Sequence, residues 1–171
     1  MGLFTKESAG FVKLVGGAST SSIFNYNDQT RQYEIFTPWK NGRAKPSLKR
    51  PLDTIAYEDM TKYAIFVKGH EVSKSGLGRA VGLGFLFGGP GAIVGAITGR
   101  QEYQVIDQVG IALETSTGDT YKIPFLVSLN GEKADSFTAR AALAKADTVA
   151  RKLESTGARL SQSWSVDLNQ G

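Results

Sequence analysis

The chain has 171 residues, with 20 Lys and Arg against 16 Asp and Glu for a net charge of +4, one His and no Cys. That length suffices for a single domain with its own hydrophobic core. The lack of cysteine excludes disulfides, thiol nucleophiles and thiolate metal sites and fits a reducing compartment; a single histidine deprives catalytic triads and zinc centres of their usual members. The small charge excess, spread over a mixed surface, permits weak attraction to anionic partners without indicating nucleic acid.

Residues 1–22 read as a flexible amino-terminal segment. They lack the continuous apolar stretch of a secretory signal, and Lys6 stands where a myristoylation motif requires Ser or Thr. A cytoplasmic location is expected, with membrane association left open by the glycine-rich segment described below. Residues 23–36 hold two short aromatic and β-branched runs joined by Asn-Asp-Gln-Thr, the pattern of a β-hairpin.

Residues 38–51 contain three prolines together with Trp39, Lys40, Arg43, Lys45, Lys49 and Arg50, which predicts an exposed basic loop. Such a loop can grip phosphates while its tryptophan stacks on a base or enters a membrane interface. The plainer reading is a solvated loop with its aromatic pinned to the domain.

Ile55 and Tyr57, then Tyr63, Ile65 and Val67, alternate as one face of a strand. After the glycine-rich segment the strand pattern resumes from Tyr103 to Leu113, turns at residues 115–119, and returns through Tyr121, Ile123, Phe125 and Val127, the clearest hairpin in the chain. Residues 136–156 predict an amphipathic helix. Alanine supplies propensity, Phe137, Ala142, Leu143, Ala146, Val149, Ala150 and Leu153 form the stripe, Asp135 or Ser136 can cap the start, and Gly157 can end it. The tail, residues 161–171, alternates weakly around Trp164 and Val166, as an edge strand or a docking segment would.

Between Arg79 and Arg100 lie twenty uncharged residues broken by Gly-Gly-Pro-Gly. Gly78 and Gly82, Gly84 and Gly88, and Gly91, Gly95 and Gly99 are each spaced by four, one face of a helix that another backbone can approach closely. The expectation is a glycine-rich helical hairpin over residues 76–100, with arms of about nine residues or about 14 Å. Neither arm reaches across a hydrocarbon core of about 30 Å. As one straight span, the eight strong apolar residues, among them Phe85, Leu86, Phe87 and Ile93, contribute about 2–5 kcal/mol, opposed by seven glycines and a proline. A flexible linker would be polar, and the glycines match neither dinucleotide-binding nor phosphate-loop spacing.

The residues IAYEDM at 55–60, SGLGRA at 75–80, FGGPGAIVG at 87–95 and TG at 98–99, followed by a strand hairpin, resemble a group of bacterial proteins. In that group a pleckstrin-homology-like module carries a GGLGRA and FGxxGAxVGxxTG insertion between strands. The resemblance covers residues 52–155 and implies a β-rich, partly open barrel with a carboxy-terminal helix, an α+β fold, placed here at residues 23–160. It implies no enzyme activity. The short oligomerisation module that some members append is not expected here, and the amino-terminal hairpin and basic loop are read as this chain's own additions.

The remaining polar residues carry no catalytic pattern. His70 sits at a strand end, Glu58 and Asp59 with nearby Asp53 have no second acidic cluster at metal-ligand spacing, and no cofactor motif is present. The expected function is therefore a non-enzymatic bacterial or phage-borne assembly protein forming homo-oligomers through the glycine hairpin. The alternative is a peripheral membrane protein that inserts the hairpin while Arg79, Arg100 and the basic loop meet anionic headgroups. Weakest is a nucleic-acid module built on Trp39 and its neighbouring cations.

Overall fold

The computed structural model of the chain describes residues 10–17, 22–41, 43–44, 52–71, 82–88 and 104–161. The amino-terminal strands β1 (Val12–Gly17), β2 (Ser22–Asn27) and β3 (Gln32–Phe36) form a meander, and β6 (Asp53–Ala56) completes a four-stranded sheet in the order β1-β2-β3-β6. The expected hairpin is β2–β3. Its turn is built by Asn27, whose Oδ1 accepts from the backbone N–H groups of Gln29 and Thr30 at 2.9 and 3.1 Å, an arrangement typical of Asn at turns.

The second sheet has seven strands. Strands β7 (Met60–Glu71), β9 (Gln104–Thr115) and β10 (Thr120–Lys133) form its centre, and the short β4 (Trp39–Lys40) and β5 (Arg43–Ala44) continue it beyond β10. On the far side of β7 lie β11 (Arg159–Leu160), in parallel, and β8 (Gly82–Gly88), antiparallel. Both sheets are open, and with the single carboxy-terminal helix they make a strand-rich α+β fold.

The core follows from the two-residue period of the strands. Tyr63, Ile65 and Val67 of β7, Ile111 and Leu113 of β9, and Tyr121 and Ile123 of β10 join Phe24, Tyr33 and Ile35 of the smaller sheet in one cluster. Helix α1 (Phe137–Ser155) packs on β7, β9 and β10 and adds Ala142, Leu143, Ala146, Val149, Ala150 and Leu153. Ser136 is its cap, accepting from the Ala139 N–H at 3.1 Å. The chain leaves it through Gly157 at φ +103°.

Four expectations are corrected. Phe137 is 87% exposed and Ala139 takes its place in the stripe, because at 100° per residue the two positions lie about 200° apart around the helix. The segment 1–22, read as flexible, contains β1, held by antiparallel pairing to β2. Within the supposed loop 38–51, Trp39 and Lys40 pair with Lys122 and Tyr121 of β10, and Arg43–Ala44 pairs with them in turn, so these four residues extend the sheet; residues 42 and 45–51 lie outside the described residues. Most consequentially, Gly82–Gly88 is an extended strand rather than the first helical arm of a hairpin. A spacing of four is two strand periods as well as one helical turn, so glycines at 84 and 88 align in either conformation. Glycine and phenylalanine are poor helix formers, and a bonding edge on β7 decides the outcome. The rest of 76–100 lies outside the described residues.

Ala64, Phe66 and Ala112, on the other face of the large sheet, are also fully buried. Phe66 lies against Gly110, where an added Cβ would stand 2.5 Å from the Phe66 ring and 2.5 Å from the Ile123 carbonyl oxygen. Gly110→Ala must therefore push apart two packed strands, and we expect a loss of about 1–3 kcal/mol in urea unfolding with the m-value unchanged. Unaltered stability would mean that the β9–β10 pair opens without cost there.

Candidate functional site

The residues singled out by the sequence fall on opposite edges of the seven-stranded sheet. Gly82, Gly84, Phe85, Leu86, Phe87 and Gly88 all lie in β8. β8 pairs along β7 from Ile65↔Gly88 to His70↔Gly82. Trp39, Lys40 and Arg43 lie in β4 and β5 at the other edge. Four strand spacings separate β8 from β4, about 19 Å at the usual 4.8 Å. Gly78, Arg79, Gly91, Ile93, Gly95, Gly99, Arg100, Lys45, Lys49 and Arg50 lie outside the described residues.

β8 is the more unusual edge. Its sequence, GLGFLFG, contains no charge and no proline, the devices by which proteins normally keep a sheet edge from recruiting another strand. Among the described residues, β7 is the only strand bonded to it. The register to β7 is regular from Gly88 to Gly84 and shifts between Gly84 and Gly82, a β-bulge that interrupts the two-residue alternation there.

Of the cations singled out on this edge, Lys40 has a described side chain, and it is satisfied from within. The Lys40 ammonium is 3.0 Å from Asp53 Oδ2 and 4.0 Å from Asp119 Oδ2, and it lies 5.3 Å from the Tyr121 ring. Burial depresses its pKa, but hydrogen bonds to Asp53 and Tyr121 outweigh this and leave it above the ordinary lysine value. Trp39 is half-buried, with the Lys122 ammonium 6.0 Å from its ring centre. Lys122 is itself buried and held below the ordinary value, by burial first and Lys68 second. The tryptophan is pinned to the sheet.

The acidic residues separate in the same way. Asp53 accepts from Lys40 and from the Tyr121 hydroxyl at 2.9 Å, whereas Asp59 accepts from Ser116 Oγ at 3.0 Å and ties the turn before β7 to the β9–β10 turn. No group of three or more His, Asp or Glu among the described residues is placed to hold a metal ion. His70 is in β7, paired through its backbone with Val105.

Sequence reading missed two features built from distant segments. A cleft of about 560 Å³ lies between the 3-10 turn at Tyr57–Asp59 and β11, lined by Glu58, Met60, Lys62, Thr156, Arg159 and Ser161 among others. Beside it, the Lys152 ammonium donates to Asp28 Oδ1 at 2.6 Å and sits 4.0 Å from the Tyr26 ring centre and 5.6 Å from that of Tyr57. The hydrogen bond from Lys152, then that from Tyr57, holds the Asp28 carboxyl below its ordinary value. The aromatic residues nearest Lys152 in the sequence, Trp164 and Phe137, are twelve and fifteen positions away, so nothing local signals this cluster.

Buried phenols dominate the titration. Burial first, then Asp53, pushes Tyr121 up to about 12, and burial pushes Tyr33 to about 12 against the opposing hydrogen bond to Thr156. Because the folded values lie above the unfolded one, this contribution to stability is complete below pH 10 and is lost as pH rises through about 12. Urea unfolding is expected to give a flat free energy from about pH 7 to 9 and a fall above pH 10, shallower in Tyr121→Phe. A profile still flat at pH 12 would show that these phenols ionise freely in the folded chain.

Among the described residues no helix is long and apolar enough to cross a membrane. Comparison of the chain with family models, curated protein sequences and solved structures finds no match.

Proposed function

We propose that this chain is a non-enzymatic assembly protein, a pleckstrin-like module that self-associates through its glycine-rich segment. The observation that carries the reading is β8, an uncharged strand with three glycines that, among the described residues, stands at the edge of a large sheet. An edge of this kind offers a row of backbone donors and acceptors to a strand from another chain, and main-chain bonds supply the affinity in such pairings. The glycines allow a neighbouring backbone to come close. Two copies related by a two-fold axis pair edge to edge and close; a head-to-tail arrangement builds a ring or filament.

Light scattering on the untagged chain tests this directly. The wild-type mass is expected to be a multiple of 18.4 kDa. Phe85→Lys and Leu86→Lys place a charge on each parity of β8 in turn, and at least one should return the mass to that of a single chain with an unchanged far-UV spectrum. If both variants retain the wild-type multimer, or the wild type is already monomeric, self-association through this segment is wrong. Recovery of the wild type only from a carbonate-resistant membrane pellet would transfer the segment to lipid.

A further inference from the structure

The sequence contains two Asn-Gly dipeptides, at 41–42 and 130–131. In such a pair the asparagine amide is readily lost, because glycine places no side chain in the way of its own backbone nitrogen. On sequence alone the two sites are equivalent. The fold makes them different.

Asn41 is tied at both ends of its amide. Its Nδ2 donates to Asp119 Oδ1 at 2.9 Å, and its Oδ1 accepts from the Thr120 backbone N–H at 2.7 Å. The Asn41 N–H donates in turn to the Thr120 carbonyl at 2.8 Å. Before this amide can react, the side chain must give up two hydrogen bonds.

Asn130 stands where β10 parts from its neighbour. The register passes from Val127↔Gln108 to Glu132↔Ile106, so residues 128–131 stand against Asp107 alone. This bulge projects from the sheet: Leu129 is 99% exposed, Asn130 is exposed beside it, and the Asn130 amide has no hydrogen-bond partner among the described residues. Gly131 is fixed by the fold, since its φ is +74° and an added Cβ would overlap the Val105 side chain. The backbone therefore demands glycine at the very position that makes Asn130 reactive.

We infer that Asn130 is a site of spontaneous deamidation in the folded protein and that Asn41 is spared. The Gly131 nitrogen attacks Asn130 Cγ, a new C–N bond forms, and the bond from Cγ to Nδ2 breaks; ammonia leaves carrying the proton that Gly131 gave up, and a succinimide ring remains. Water opens the ring at either carbonyl, leaving aspartate or, with the main chain rerouted through the side chain, isoaspartate. One added negative charge takes the net charge from +4 to +3. It arises beside Glu132 and close to Asp107, whose Oδ1 lies 3.1 Å from the point where a Gly131 Cβ would stand, so like charges gather at the bulge and repel. The reaction belongs to a single chain and proceeds whether or not copies assemble.

Peptide mapping by mass spectrometry, on the full chain held in mildly alkaline buffer with and without urea, reads both sites at once. Each site is compared with its own rate in the unfolded chain, which removes the influence of flanking residues. Folding is expected to slow Asn41 on the order of tenfold or more, the effect of its two hydrogen bonds, and to leave Asn130 within a few-fold of its unfolded rate. Isoaspartate in the folded chain, read as methyl esters formed by an isoaspartyl methyltransferase, should disappear in Asn130→Ser. Equal slowing of the two sites, or stronger slowing at Asn130, would overturn the assignment, as would an isoaspartate yield unchanged in Asn130→Ser.

Discussion

Strand β7 is hydrogen-bonded along one side by β9 over its whole length and along the other by β11 and β8 in succession. This double pairing is the constraint on which the remaining structure depends. At the centre of β7, Ala64, Ile65, Phe66 and Val67 are buried without interruption, so side chains on both faces of the strand are out of water. Tyr63, Ile65 and Val67 serve the core shared with the small sheet, while Ala64 and Phe66 serve the opposite side. Fully burying Ile65, Phe66 and Val67 contributes about 1.5–3 kcal/mol each, so β7 is a major source of the stability of the chain. The bulge at Met60–Lys62 and the shift at Lys68–Gly69 adjust the register to β9 without breaking the pairing.

The helix is fastened to this frame by polar ties as well as by its apolar stripe. Tyr63 donates to Glu154, the Tyr33 hydroxyl shares a 2.6 Å hydrogen bond with Thr156, and Lys152 reaches Asp28. The first two come from core tyrosines of different sheets. Each uses a ring for packing and its hydroxyl for direction, which fixes the rotation of the last helical turns against both sheets at once. Lys152 adds an ammonium lying on Tyr26, an arrangement in which cation and ring attract. The helix end thus sets the position of β11, which follows it directly.

Local signals in the sequence carried the hairpins and the helix. The Asn27 turn, the residues around Gly118 and the Ser136 cap each specify structure within a few positions, and all three stand where the pattern puts them. Non-local decisions were hidden. Prolines and cations argued for a loop at 38–51, yet Trp39 and Lys40 find partners more than eighty positions away in β10. The glycine spacing was read at the helical period when the same residues fit a strand, because nothing within 82–88 announces the vacant edge of β7. Of the candidate residues, the sequence identified the uncharged glycine-rich run and its apolar content. It could not place that run and the basic residues at opposite edges of one sheet, since strand order is a property of the whole chain.

The strand conformation of β8 changes the balance between protein and lipid as its partner. A helix entering a bilayer carries its backbone bonds with it, whereas a strand bonded on one side brings a row of unsatisfied N–H and C=O groups. Among the described residues only β7 bonds β8, and with that pairing alone seven residues leave about three donors and three acceptors on the outer edge, each costing about 2–7 kcal/mol in hydrocarbon. The apolar residues of the whole glycine-rich run return only about 2–5 kcal/mol. Insertion of this strand as it stands is therefore opposed several-fold by its backbone. A second strand satisfies the same groups while burying the same side chains, so the backbone balance weighs toward strand pairing over lipid as the partner of such an edge.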